Sequence, residues 1–330
     1  MNFPRLLKQR ARGDLSLSLG ALIAVFLATT TVAGGPVYLR SLERVGMADV
    51  VKTAGPYYKN VSAISDWIPL EHTEITQANS VVDSAVSEQL EPLIEWRSTR
   101  IKSRSHFWGL DDGDPNTQIE TVRGESASRA YFHEMEGLHQ VVTYVDGRAP
   151  TSNLRIDEDG DRVVEVAVYE NRSRRIRHGD VLEDLRVGDL VLATSVSRGF
   201  GSVKGEIVGI FAANDLGDQF WLGSPNAILE PDPPMLFGGR DNPIVLFTAE
   251  GAIAPGVGPS NAGLPMNYMR VLFTDRQKIS LARPGVFVAA VDQFEDIVKT
   301  ELPLSNLIPF VFDRNHFFFW SGKNILTHCS

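Results

Sequence analysis

The chain has 330 residues, 43% hydrophobic and 22% charged, a balance that excludes a disordered protein and leaves room for one large domain or two ordinary ones. Arg5, Lys8, Arg10 and Arg12 stand against Asp14 at the N-terminus, so the rest of the chain is more acidic than the total of −9, which argues against nucleic-acid binding. Cys329 is the one cysteine, so no internal disulfide can form and a thiolate zinc site is excluded.

The basic lead, residues 1–14, runs into Leu15–Ala33, 19 apolar or small residues without a charge. As a helix this run spans roughly 28 Å, the thickness of a hydrocarbon layer. The expectation is a transmembrane helix over 15–34, with the N-terminus cytoplasmic and the body, 35–304, extracytoplasmic in a bacterial cell membrane. Ser16, Gly20, Ala24 and Ala28 fall four apart and form a small-residue stripe suited to packing on a partner helix. The competing expectation is a signal peptide cut after Thr31-Val32-Ala33. Its apolar core would be longer than usual, which favours the anchor.

Residues 36–52 continue as helix, and PYYKNVSAISDW reads as a strand. Val82, Val86, Leu90 and Leu93 recur at helical spacing, with Ala85 and Ile94 beside them, and predict an amphipathic helix across 74–98 capped by Thr73 or Thr76. HFWGLDDGDPNT, starting at His106, reads as a loop. ASRAYFHEM, LHQVVTYVDGRAP, RVVEVAVYE, LVLAT and VKGEIVGIF then read as short strands, a β-rich inserted lobe over about 145–222. PIVLFTAEGAIA and MNYMRVLFTD predict two more strands, and Val288, Val291, Phe294, Ile297 and Val298 line one face of a helix. The fold class expected is α+β. The tail from 305 to 330 changes character, with six aromatics in the eleven residues Phe310–Trp320, as a shifted reading frame would produce.

Chemical motifs are sparse. DEDGDR at 157–162 places Arg162 and Val168 where a calcium loop needs glycine and glutamate, so it reads as a solvated turn. The basic run Arg172–His178 reads as a solvated face that could also meet anionic lipid. There is no phosphate-binding glycine loop, no nucleophile elbow and no H-E-x-x-H. No cofactor, metal site or catalytic residue is expected, and no enzyme.

Four stretches in order resemble one family. They are FPRLLKQRARGD before the first helix; VVTYVDGRAP with Gly147, Arg148 and Pro150; VVEVAVYE followed by LRVGDLVLA with Gly188 and Asp189; and VKGEIVGIFAANDLGDQFW with Asp215, Asp218, Phe220 and Trp221. Together they resemble the permease subunits of the ABC transporter class that includes the macrolide exporter MacB, the lipoprotein-release permeases and FtsX. The resemblance covers residues 5–222, weakens to 300 and stops near 305. It implies a permease subunit that couples ATP hydrolysis by a separate cytoplasmic ATPase to motion of the extracytoplasmic domain. The implied partners are that ATPase, further permease helices or a second permease copy, and membrane lipid. Family permeases carry further membrane helices after the domain, so the chain reads as the front part of one. The alternative is a single-pass or secreted binding protein with no transporter; a third reading, a secreted hydrolase, finds no site in the residues.

Overall fold

The computed structural model describes residues 60–111, 129–158, 160–173, 176–178, 181–195, 201–231, 243–261, 265–281 and 284–301, with 19, 22–30, 38, 41–42, 45–46 and 49 before them. The body is mixed α and β. In chain order, β1 is Val61–Pro69, α1 His72–Gln89, β2 Ile94–Lys102, β3 His106–Leu110 and β4 Arg129–Met135. One helical turn, α2 (Leu138–Val141), leads into β5 (Val142–Gly147), β6 (Leu154–Ile156) and β7 (Arg162–Tyr169). Next come α3 (Glu170–Ser173), the hairpin β8 (Ile176–His178) and β9 (Val181–Glu183), then β10 (Leu190–Ser195) and β11 (Ser202–Ala213). The chain finishes with α4 (Pro225–Leu229), β12 (Ile244–Thr248), α5 (Ile253–Val257), β13 (Pro265–Thr274), α6 (Arg276–Leu281) and α7 (Pro284–Glu301).

The sheet runs β1-β13-β2-β4-β12-β7-β11-β10-β3, and β3 also pairs with β4. The last six strands therefore close into a barrel, β4-β12-β7-β11-β10-β3, while β2, β13 and β1 flare away as an open sheet. The barrel is an insertion. The chain builds β1, α1 and β2 of the open sheet, enters the barrel at β3, and returns for β13 and α7.

The junction is a corner at Ser103. β2 pairs with the C-terminal half of β4 (Lys102 opposite His133), and β3 with its N-terminal end (His106 opposite Ala130). Between them Ser103 N donates to Phe132 O (2.8 Å), and Phe132 N donates to Ser103 Oγ (2.9 Å). The side-chain oxygen takes the place of a ladder carbonyl, so the strand bends without leaving a buried donor unpaired.

One apolar core fills the barrel and continues under the helices. Phe132, Leu246, Val166, Ile207 and Trp108 lie inside it, together with Val82 and Val86 of α1 and Phe294 and Val298 of α7. The spacing of Ile75, Ala78, Val82, Ala85 and Val86 makes α1 one-sided, and that side is buried. Arg270 on β13 fixes α1 from below, reaching Asp83 (3.0 Å) and Glu136 (2.8 Å). Tyr268 Oη donates to Asn79 Oδ1 (2.7 Å) beside it.

Several expectations change. The helix expected over 74–98 ends at Gln89, and Ile94–Lys102 is a strand. Thr76 does not cap α1; its hydroxyl donates to His72 O within the helix (2.8 Å). HFWGL is strand β3, not loop. The β-rich lobe is wider than 145–222, since β3, β4 and β12 belong to the barrel. The stretch after β12 turns into α5 instead of continuing as strand. Of the expected span Leu15–Ala33, residues 19 and 22–30 are described and helical. Among the described residues no helix is long and apolar enough to cross a membrane. The tail 305–330 lies outside the described residues.

Two glycines mark the tightest backbone approach. Gly147 on β5 is paired with Gly209 on β11. A Cβ at Gly147 would lie 2.2 Å from Val208 O, and one at Gly209 2.1 Å from Arg148 O. Gly147 also has φ +68°, whereas Gly160 (φ +83°) faces open space. Gly160→Ala then costs backbone strain alone, about 1 kcal/mol, and Gly147→Ala adds a backbone clash, for a total of about 3 kcal/mol. Denaturant unfolding of the two variants measures the difference; equal costs would contradict it.

Candidate functional site

β4 and β12 are parallel neighbours, and their carboxyl ends open together into a cleft of about 430 Å³. Met135, Leu138, Tyr144 and Phe247 give it an apolar lining, while His139 and Glu250 stand at the rim. The loop 149–152 closes one side.

Each wall is held by a carboxylate. Glu134, buried at the end of β4, accepts from Gly251 N (2.9 Å) and Ile253 N (3.0 Å) and so sets the turn after β12. Burial pushes its carboxyl up from the ordinary value, and the backbone donors oppose that shift. Glu250 Oε1 accepts from Gly137 N (2.8 Å), which joins the loops that follow the two strands; His139 Nδ1 is 4.0 Å away. Glu165 holds the third wall. Arg148 grips it with both terminal nitrogens (2.6 and 2.7 Å), and Thr151 N and Oγ1 donate to its Oε2 (2.8 and 2.9 Å). The Arg148 fork, aided by Thr151, holds the Glu165 carboxyl down at about 2.

Four of the motif residues, Gly147, Arg148, Gly188 and Asp189, converge on β11. Arg148 N donates to Val208 O (2.8 Å), Gly188 N to Ile207 O (2.7 Å), and Ile207 N to Asp189 O (2.9 Å). Gly188-Asp189 thus bonds to Ile207, and Gly147-Arg148 meets the next two residues of the same strand, Val208 and Gly209. Pro150 lines the cleft itself. Gly188 takes φ +99°, and Asp189 Oδ2 accepts from Arg186 N (2.7 Å), closing that turn. Asp215 Oδ1 accepts from Gly217 N (2.7 Å), and Asp218 Oδ1 from Phe220 N (2.7 Å) at the start of a 3-10 turn, Gln219–Trp221. Trp221 is fully buried and its Nε1 donates to Asp215 O (2.9 Å). The carboxylates of Asp189, Asp215 and Asp218 therefore shape turns. Ala24 and Ala28 are exposed on the helical residues 22–30, and Gly20 lies outside the described residues.

Two features went unread in the sequence. First, DEDGDR is more than a solvated turn: Lys204 Nζ lies 2.7 Å from Asp157, 3.1 Å from Asp111 and 3.5 Å from Asp161. Those contacts bind the β6–β7 turn and the end of β3 to β11. Second, the face of the sheet turned away from α1 and α7 carries Arg100 and Lys102 on β2 and His133 on β4. The Arg100 guanidinium is buried 4.8 Å over the Phe220 ring, and its Nη2 donates to Phe220 O. Lys102 Nζ lies 4.2 Å over the Tyr131 ring, and His133 stacks on Phe247 at 5.6 Å. Burial lowers Arg100 to about 9 and draws Lys102 down. It also pushes the His133 imidazole well below its usual range, with Lys102 and Arg100 adding to the effect. The available signal was R-x-K-x-R at 100–104, basic residues at strand period. The basic run Arg172–His178 starts with Arg172, which pairs with Glu230 at 3.8 Å; Arg174 and Arg175 lie outside the described residues.

No family model matches the sequence, and neither curated proteins nor solved structures give a match. Among the described residues, no three His, Cys, Asp or Glu side chains come together to hold a metal ion.

The Glu165 clamp has a pH signature. Its folded-state value is depressed to about 2, so its stabilisation is complete above the unfolded value near 4.5 and is lost as pH falls through about 2. Against Glu165→Gln, the stability advantage of the native chain should shrink steadily between pH 5 and pH 2. Chemical denaturation across that range checks it, and a difference constant with pH would contradict the clamp.

Proposed function

We propose that the chain serves as the extracytoplasmic body and leading anchor of an ABC transporter permease of the MacB/FtsX-like kind. In this reading it carries the motion of a partner ATPase to the outside of the membrane. The observation that carries the reading is topological. The barrel is inserted into an α/β lobe that both receives the chain at β1 and releases it at α7. In this reading a barrel suspended from one lobe moves as that lobe moves. Sharing β4 between the lobe and the barrel keeps the two from turning independently.

Two further observations support it. In the helical residues 22–30, Leu22, Val25, Phe26 and Leu27 are all bare to the surroundings. Thr29 Oγ1 returns to Val25 O (2.7 Å) within the same helix. Apolar side chains outward and hydroxyls satisfied inside are what lipid requires of a helix. The motif residues Gly147, Arg148, Gly188 and Asp189 also meet along β11, as parts of one structural unit. A second reading, a single-pass or secreted binding protein without a transporter, draws on the cleft beyond β4 and β12.

Expression of the full chain with fractionation and N-terminal sequencing tests the proposal. The expected result is an uncleaved N-terminus in the membrane fraction, a body open to protease from outside the cell, and co-purification with an ABC ATPase. A soluble form beginning near residue 34 would overturn it in favour of the second reading.

A further inference from the structure

Counter-charge is distributed unequally over the two faces of the open sheet. On the face toward α1, Arg270 is matched by Asp83 and Glu136. On the opposite face Arg100, Lys102 and His133 stand together, and among the described residues none of them has a carboxylate partner. The neighbouring acids are engaged elsewhere: Glu134 holds the backbone of Gly251 and Ile253, and Glu136 holds Arg270 and Thr99 N. A cation drawn out of water without a counter-ion is costly, and Arg100 and Lys102 stand on this face together beside a neutral imidazole.

The register gives these groups an order. Asn267 on β13 is directly opposite Lys102, and Lys102 is directly opposite His133. Directly paired residues share a face with their Cβ atoms about 5 Å apart. The row therefore passes from Asn267, which is exposed, through half-buried Lys102 to His133, which is 7% exposed. Arg100 lies one step along β2 on the same face, 4% exposed. His133 Nδ1 and Arg100 Nε are buried with no hydrogen-bond partner. Amide, ammonium and imidazole groups thus form one row from the exposed edge to the buried strand, beside the Arg100 guanidinium.

We propose that this row, Asn267–Lys102–His133 backed by Arg100, is a binding site for a phosphate group, entered from the Asn267 side. The group supplies the missing negative charge, and its several oxygens suit donors arriving from two strands. Lysine acts here as a point charge and the uncharged imidazole as an N–H donor. The phosphate has two sources of the same chemistry, a free phosphate or phosphate ester and the headgroup of an anionic lipid. The proposal stands apart from the transporter reading, because it needs only the face of the sheet.

The test uses the full chain in non-ionic detergent, titrated calorimetrically with inorganic phosphate at constant ionic strength, with chloride as control. A parallel arm uses phosphatidylcholine vesicles with and without phosphatidylglycerol. The expected result is saturable binding, weakened about tenfold or more in Lys102→Met and largely restored in Lys102→Arg. Lys102→Met keeps the stem on Tyr131, and its thermal midpoint reports whether it folds. Should it fail to fold, Asn267→Ala at the exposed end replaces it, with binding about threefold or more weaker. Lys102-dependent binding of inorganic phosphate assigns a free anion; Lys102-dependent binding only to phosphatidylglycerol vesicles assigns a lipid headgroup. Absence of both, or binding indifferent to Lys102 and Asn267, overturns the proposal.

Discussion

Everything in this fold depends on one shared edge. β4 gives its C-terminal half to β2 and its N-terminal end to β3, and the bend between those partners is Ser103. The serine can hold the corner because its hydroxyl accepts the Phe132 N–H that the ladder would otherwise leave unpaired (2.9 Å), and donates onward to Arg104 O (2.9 Å). Remove that edge and two structures remain, an open sheet under two helices and a barrel without a seam. With it, a single apolar core passes from the barrel interior to the underside of α1 and α7.

The same edge sets the electrostatics. Strand alternation sends Glu134 and Glu136 to contacts on the loop after β12 and on Arg270, and leaves His133 and Met135 on the other face. One face is therefore neutralised by ion pairs tying helix to sheet, and the other keeps its positive charge among aromatic rings. The cleft forms where this second face meets the ends of β4 and β12. Its walls are set by carboxylates gripping backbone, which fixes loops more firmly than exposed ion pairs would.

Much of the local structure was legible. The apolar, β-branched runs RVVEVAVYE and VKGEIVGIF mark β7 and β11, which are buried on both faces for most of their length, and the spacing of Val291, Phe294 and Val298 marks α7, which buries one face. The errors have physical causes. Leu93 and Ile94 extend the helical period of α1, but Pro92 sits in a separate 3-10 turn, and the chain then pairs with β13. HFWGL was masked by the turn residues after it, and only long-range pairing with β10 and β4 makes it a strand. The motif residues Gly147, Gly188 and Asp189 could be picked out, but not their meeting on β11, which depends on pairing across distant segments. Arg100 and Lys102 went unread. Arg100 lies against the rings of Phe220 and Phe273 and Lys102 over that of Tyr131, contacts between distant segments that no local pattern announces.

The central claim is that barrel and lobe form one mechanical unit joined through β4. Native-state hydrogen exchange measures this directly. The amides of Phe132 and His133 should open only with the whole molecule, at the same free energy and denaturant dependence as those of β11 in the barrel and β13 in the open sheet. If β11 instead opens in a lower-energy step that leaves β13 protected, the barrel is a separately folding appendage, and it cannot carry motion from the lobe as a rigid body.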